Sequence, residues 1–303
     1  MGPARSPDWR RRTEGPVVLM SLRPLRRVAL TGAVLVTALA DCGGSDARAQ
    51  GVLDARYQVT LGGVAFGRGN WHITVGDDQF TSAVSGTTTG VMRLFTTGRG
   101  NSASRGSVAG GALHASSYSS SIATDQKYDE VRMLLNGGTV KDYMAEPPNN
   151  PDPQRVPIEA AHRRGVLDPM TAAIIRVPGN GDTFVPQACN RKLAIFDGRM
   201  RYDLQLAYKR LDRVKSEKGY QGTVVVCAVR FAPIAGHVPT RSVIKYLMEL
   251  RETEMWLAPI AGTRLMVPYR VSLPTPVGEG VLQATQFVTI AQSPRPTPTS
   301  ARQ

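Results

Sequence analysis

The feature that most constrains the fold is a series of short segments in which polar and apolar residues alternate, separated by turns rich in glycine, asparagine and aspartate. Alternation with a period of two is typical of a β-strand that buries one face. Residues 56–61 and 71–75 alternate in this way, and the Ser- and Gly-rich residues 102–122 suit curved, twisted strands. Gly137 and Gly138 lie between two more such segments and supply the positive φ angles of a tight hairpin turn. The first half of the chain is therefore predicted to be a β meander.

The second half resumes this pattern after a proline-rich boundary or surface loop at residues 146–153. Two short helices are predicted next, at residues 158–164 and, with Asp168 as N-terminal cap, at residues 170–175. Residues 220–231 are apolar on both faces, which predicts a central strand. The other strands predicted in this half are 192–196, 200–208, 253–258, 263–273 and 281–290.

About ten strands and few helices predict a mainly β fold, either a large curved antiparallel sheet or an open β-barrel whose short helices cover one mouth. We expect residues 50–291 to form this single β-barrel-like domain. The Pro- and Ser-rich residues 292–303 are predicted to be a disordered tail.

The N-terminal residues have the organisation of a secretory signal. Met20 opens a basic segment with three arginines, and an uncharged apolar run follows at residues 28–40. A helix of that length is too short to cross a bilayer core of roughly 30 Å, but it matches the apolar region of a signal peptide. The small-x-small triplet at residues 47–49 fits signal peptidase. We therefore expect residues 1–49 to be a leader, with the true start at Met20, and the mature chain to begin at Gln50 in the periplasm.

Two other export routes fit parts of the same region. Residues 39–42 resemble a lipoprotein box in which Cys42 would carry the lipid anchor, although Asp41 stands where such boxes normally have Gly, Ala or Ser. Arg26 and Arg27 resemble the pair of a twin-arginine signal, without its surrounding consensus. Either route places the body of the protein outside the cytoplasm.

The formal charge of +13 would make nucleic acid the first partner to consider for a cytosolic protein. The leader contains eight arginines and four acidic residues, a net +4, so its removal leaves +9. Outside the cytoplasm the abundant polyanions are lipid head groups, lipopolysaccharide and cell-wall polymers. We therefore expect the electrostatic partner to be a lipid or an anionic envelope surface, and we expect no nucleic acid partner. The alternative is a basic surface that serves only solubility.

Cys189 and Cys227 are the two cysteines that remain after leader removal, an even number in an oxidising compartment. We expect them to form a disulfide. A metal pair or a reactive thiol is the alternative, but neither cysteine has a histidine or a second cysteine at ligand spacing. The histidines are too scattered for a metal cluster, and we expect no metal and no cofactor.

Several segments of the second half resemble one protein family. The matching residues are Gly165–Ala172, Cys189 with Ile195–Leu204, Tyr220–Cys227 and Arg230–His237. They resemble the domain-of-unknown-function family numbered 3108, and the resemblance extends over roughly residues 57–290. It implies an exported protein with an antiparallel, barrel-like β fold of the general kind seen in envelope lipoproteins and lipoprotein carriers. The family has no assigned activity, so the resemblance supplies no catalytic residues.

The sequence lacks the motifs of the common hydrolytic and nucleotide-binding sites. It has no Gly-x-Ser-x-Gly elbow to hold a strained nucleophile and no glycine loop with Lys-Ser/Thr to bind phosphate. We therefore expect a protein that is not an enzyme.

The densest polar segment gives the candidate site. Arg199, Arg201 and Asp203 have the spacing of one strand face and could line a groove that binds an anionic group through guanidinium forks. In the alternative interpretation these charges form a solvated strand face and pair with one another. His237 lies in a predicted loop, where it either caps backbone groups or takes part in catalysis.

The leading functional hypothesis is a non-enzymatic periplasmic envelope protein. Its curved sheet would offer a concavity to a lipid, an acyl chain or a lipoprotein segment, with basic residues at the rim. The second hypothesis is a structural or interaction protein that supports envelope integrity by binding cell wall or another envelope protein, with an ordinary packed core inside the sheet. The third is a hydrolase of an envelope polymer, for which Arg199, Asp203 or His237 would have to converge in one cleft.

Overall fold

A computed structural model describes residues 50–90 and 97–292. These residues belong to a unit that extends over residues 46–303. They contain fifteen strands, which form one sheet, and few helices. The strands are β1 (Gly51–Leu61), β2 (Val64–Val75), β3 (Gln79–Thr88), β4 (Gly98–Ala109), β5 (Ala112–Thr124), β6 (Tyr128–Asn136), β7 (Thr139–Glu146), β8 (Ile175–Arg176), β9 (Arg191–Phe196), β10 (Arg201–Lys215), β11 (Lys218–Gly219), β12 (Gln221–Ala235), β13 (Glu254–Pro259), β14 (Leu265–Leu273) and β15 (Gly280–Ala291).

The sheet joins the two halves of the chain through its first and last strands. Its order is β7-β6-β5-β4-β3-β2-β1-β15-β14-β13-β12-β10-β9, with β8 paired to β14 and the short β11 paired to β15. Neighbouring strands are antiparallel, except that β11 runs parallel to β15. The mainly β fold with an open antiparallel sheet is therefore confirmed. The predicted hairpin at Gly137 and Gly138 is present, with φ angles of 54° and 71°.

The sheet buries apolar residues on both of its faces. One cluster, which we call the inner cluster, collects residues from β1 to β7, from β9 and β10, and from β12 to β15, so the sheet must curl around it. A second cluster lies on the other face of the strands near β12. Val224 and Val226 belong to the inner cluster, whereas Val225 and Cys227 belong to the second. The expectation that this strand is central and buried on both faces is confirmed.

The predicted disulfide is present and lies in the second cluster. Cys189 and Cys227 are bonded, and both are fully buried. Cys189 follows a 3₁₀ turn at Pro186–Ala188, and Cys227 lies in the central strand β12. The bond therefore ties the segment that covers this face to the middle of the sheet.

The helices differ from the predicted ones. The helix expected at 158–164 is a single 3₁₀ turn, Ala160–Arg163. The helix expected at 170–175 is α1 (Pro169–Ala172), because Ile175 pairs with Met266 and begins β8 instead. Helix α2 (Ser242–Glu249), which packs on β12, was not predicted. Tertiary pairing outweighs helix propensity in segments as short as these.

The two edge strands of the sheet, β7 and β9, are bridged by one short segment. The Val166 N–H donates to the Gly138 carbonyl at the start of β7 (2.9 Å), and the Leu167 N–H donates to the Ala194 carbonyl of β9 (2.8 Å). Helix α1 follows directly, and its Met170 joins the inner cluster. The opening between the edges is thus covered by residues 166–172.

The predicted leader (1–49) and all of the predicted tail except Gln292 lie outside the described residues. None of the helices in the described part of the chain has the length and apolar character needed to span a bilayer.

Candidate functional site

The structure places the predicted polar residues at the seam between the two edges of the sheet. Arg199 lies in the turn before β10, and not on the strand face that its spacing suggested. Its guanidinium is 3.0 Å from the Asp129 carboxylate of β6 and donates to the Pro147 carbonyl (2.9 Å). Arg199 therefore joins β6 and the loop after β7 to the turn that precedes β10.

Arg201 and Asp203 lie on β10 and pair with each other. One guanidinium nitrogen of Arg201 is 2.6 Å from the Asp203 carboxylate, which Lys192 also approaches at 3.4 Å. The Asp203 carboxylate is largely buried, and these two cations balance its charge. The two residues pair with each other as in the alternative interpretation, but their side chains are largely buried and do not form a solvated strand face.

His237 lies close to the same turn. Gly236 packs so tightly that a side chain there would come within 2.2 Å of the Arg199 carbonyl oxygen. The His237 carbonyl accepts a hydrogen bond from the Val156 N–H (2.9 Å), and burial lowers the pKa of its imidazole. The fold brings His237 and Arg199 near each other, but each makes contacts that hold the seam together.

A buried carboxyl group anchors α1 inside the curled sheet. Asp168 accepts hydrogen bonds from the Met170 and Thr171 N–H groups, both at 3.0 Å, and from the Ser104 hydroxyl at 3.2 Å. Burial raises the pKa of this carboxyl. Its carboxylate accepts hydrogen bonds from the free N–H groups at the start of the helix. Asp168 therefore stabilises α1 as its N-terminal cap.

A groove of about 680 Å³ lies on the opposite, outer face of β3 to β7. We call it the outer groove. Its residues follow the strand register, since Ala83 lies opposite Ala103, and Arg132 lies opposite Met144. The outward residues that line it are Thr81, Ala83, Ala103, Arg105, Ser117, Ser119, Arg132, Leu134, Asp142 and Met144. Small side chains on β3 to β5 form its floor, and longer ones on β6 and β7 form a wall.

The outer groove combines exposed apolar side chains with charged ones. Leu134 is 56% exposed and Met144 is 42% exposed. Arg132 pairs with Glu130 (2.5 Å), whose pKa is lowered by hydrogen bonds from Tyr128 and from Arg132. Arg105 donates from Nε to the Ser117 hydroxyl (3.1 Å) and makes no ion pair among the described residues. The groove can therefore bury an apolar chain beside a cation.

Sequence reasoning did not find this groove. The Ser- and Gly-rich residues 102–122 supply part of the groove, but in the sequence they predict only curved strands. The groove forms because Ala83, Ala103 and Ser119 are neighbours across three strands. This strand register cannot be predicted from the local sequence. Within the described residues, no three His, Cys, Asp or Glu side chains are grouped so as to hold a metal ion.

Comparisons with known proteins give a family. A family model described as "Protein of unknown function (DUF3108)" matches residues 56–285, which agrees with the resemblance found in the sequence. No curated protein matches the chain. Among solved structures, a beta-barrel-like protein of the domain of unknown function DUF1849 from Brucella abortus aligns over 80% of this chain and 99% of its own, with 10% identity and a TM-score of 0.41.

Proposed function

The chain belongs to the family of proteins of unknown function DUF3108, and we propose that it is an exported, non-enzymatic envelope protein that binds a lipid acyl chain in the outer groove. The observation that carries this proposal is the pair of exposed apolar side chains, Leu134 and Met144, at the wall of a concave surface. A volume of about 680 Å³ falls within the range of about 300–1,000 Å³ that is usual for small-molecule sites.

The physical driving force is the burial of apolar surface. An acyl chain that covers the exposed parts of Leu134 and Met144 would remove them from water, at about 25 cal/mol for each Å² of apolar surface. The inner face of the sheet is packed by its own side chains around Phe80, Tyr269 and Phe287. This packed inner face supports placing the proposed binding surface in the outer groove, whose β3 to β5 residues include small side chains such as Ala83 and Ala103.

Binding of a fluorescent fatty acid to the mature chain, residues 50–303, tests this proposal. The double variant Leu134→Ser/Met144→Ser should weaken binding about tenfold or more, because each side chain contributes about 1 kcal/mol of burial. Ile122→Ser is a matched control, since Ile122 is 52% exposed but lies outside the outer groove in the alternation of β5. The proposal is wrong if the wild type does not bind, or if the double variant binds as tightly as the control.

Export to the periplasm is part of the same proposal. It is supported by the leader-like residues 1–49, by the positive charge and by the disulfide, which is typical of oxidising compartments. N-terminal sequencing of protein recovered from a periplasmic fraction should give a chain that begins at Gln50. An uncut chain in the cytosol, with reduced cysteines, would contradict it.

A packed interior also favours a second candidate, a protein that supports the envelope by binding cell wall or another envelope protein. The inner cluster extends over most of the strands and leaves the curled face as ordinary core. Sedimentation with purified peptidoglycan and crosslinking in cells would identify such a partner. Retention on peptidoglycan by a variant that has lost acyl-chain binding would favour this candidate over the first.

A further inference from the structure

We propose that a second depression on the same outer face binds the phosphate head group of the lipid whose acyl chain lies in the outer groove. This depression has a volume of about 730 Å³ and lies where β15, β1, β2 and β3 meet. We call it the anion subsite and define it by Arg56, Gln58, Arg68, Asn70 and Thr285. The inference rests on the proposed function and names the class of lipid.

The strand register brings two arginines together in the anion subsite. Arg56 lies opposite Asn70, and Gln58 lies opposite Arg68, so the two arginines are diagonal neighbours on one face of β1 and β2. Side chains in such positions are separated by roughly 7 Å at Cβ, within reach of one another for residues as long as arginine. β1 and β2 therefore contribute two guanidinium groups and two amides to the subsite.

Neither arginine has a counter-ion within residues 50–90 and 97–292. Among the residues that the structure describes, Arg56 and Arg68 make no ion pair, whereas Arg199 and Arg210 each have a carboxylate partner. Asp54 is the next outward residue on β1, but it lies opposite His72 and does not line the subsite. Two like charges without a partner repel each other, and a bound anion removes that repulsion.

Phosphate matches this arrangement in shape as well as in charge. Guanidinium groups present pairs of N–H donors in a planar fork that fits phosphate oxygens. Gln58 and Asn70 add amide donors, and Thr285 lies at the rim beside Arg56, to whose carbonyl oxygen its hydroxyl donates (3.3 Å). Most of the side chains that line this depression are polar, so it suits a head group better than an acyl chain.

The anion subsite and the outer groove are parts of one continuous surface. Asn70 and Ser85 line both the subsite and a central depression of about 620 Å³. Ala83 and Ala103 line both that central depression and the outer groove. A single elongated molecule can therefore contact both ends by way of the central depression, which shares residues with each.

The distance between the two ends fits a lipid. β2, which carries Arg68, and β6, which carries Leu134, are four strand spacings apart, roughly 19 Å at about 4.8 Å each. The register aligns Leu134 with Thr74 on β2, six residues from Arg68, which adds roughly 20 Å along the strands and makes the total distance roughly 28 Å. An acyl chain spans about half of a bilayer core, roughly 15 Å, and the head group with the arginine side chains covers the remainder. The lipid would lie diagonally across the strands, with its phosphate at β1 and β2 and its chain end at β6 and β7.

The test compares three probes on the mature chain: a single-chain phosphate lipid (lysophosphatidic acid), a neutral single-chain lipid with the same chain (monoacylglycerol), and inorganic phosphate. Arg56→Gln/Arg68→Gln should weaken lysophosphatidic acid binding about tenfold, weaken its salt dependence and leave monoacylglycerol binding unchanged. Arg230→Gln/Lys245→Gln removes the same charge from β12 and from helix α2, away from the three depressions, and should change neither.

The possible results separate the two proposals. If the arginine variant and the control bind lysophosphatidic acid equally, the proposal of the anion subsite is wrong, but the proposal that the outer groove binds an acyl chain is unaffected. If Leu134→Ser/Met144→Ser leaves monoacylglycerol binding unchanged, the acyl-chain proposal is wrong. Binding of inorganic phosphate as tight as that of lysophosphatidic acid would overturn the lipid head group in favour of a free-phosphate site.

Discussion

Removal of the Cys189–Cys227 disulfide is expected to lower the free energy of unfolding by up to about 4 kcal/mol. The bond joins residues 38 positions apart, and the chain-entropy model gives a loop of that size about 4 kcal/mol at 25 °C. Both cysteines are fully buried in the second cluster, beside Val225 and Leu257. The double variant Cys189→Ala/Cys227→Ala therefore also loses packing contacts of the two sulfur atoms.

Urea unfolding of the mature chain, followed by circular dichroism, measures this loss. With a slope of about 2–3 kcal/mol per M, the unfolding midpoint of the double variant should fall by up to about 1.3–2 M. Wild-type protein unfolded with a reductant is the matched control, because the same bond is broken while both sulfur atoms stay in place. An unchanged midpoint, or two free thiols titrated in unreduced denatured protein, would refute the reasoning.

Two further outcomes follow from the seam between the sheet edges. Gly198→Ala should lower the free energy of unfolding by about 2–4 kcal/mol, because its Cβ would lie 2.4 Å from a methyl of Val131 at a φ of +90°. Gly110 also has a positive φ but open space around it, so Gly110→Ala should lower the free energy of unfolding by only about 1–2 kcal/mol. Equal losses in the two variants would show that the contact with Val131 does not matter. Because burial lowers the pKa of His237 below its ordinary value, stability from the neutral imidazole is fully present above about pH 6.5 and is lost as the pH falls toward the folded pKa. His237→Gln should therefore make urea stability less dependent on pH between 7 and 5, and an unchanged pH profile would count against this assignment.

Much of the fold could be predicted because alternation is a local property. Each strand that buries one face carries its own period-two pattern, and the doubly buried residues 224–227 identify the central strand. The helices are harder to predict from the sequence. Residues 170–175 have a good N-terminal cap, but Ile175 gains a strand partner in Met266, about ninety residues later, and no local pattern contains that pairing.

The sites depend on register, which is why less of them could be predicted. The partner of Arg199 is Asp129 on β6, and nothing near Arg199 in the sequence indicates that contact. The outer groove exists because small outward residues of separate strands become neighbours, and Arg56 meets Arg68 only through the pairing of β1 with β2. A shift of one residue in any of these pairings would turn the same side chains to the other face.

The pairing of β1 with β15 has a consequence for biogenesis. Gly51 lies opposite Ala291, so one edge of β1 stays without its hydrogen-bonding partner until 240 further residues have emerged. A strand left unpaired in this way is open to association with other chains, and the long-range contact makes completion of the sheet slow. A chain that is secreted from its N-terminus onward would therefore need protection until its final strand arrives, and truncation before β15 would leave a molecule prone to aggregate.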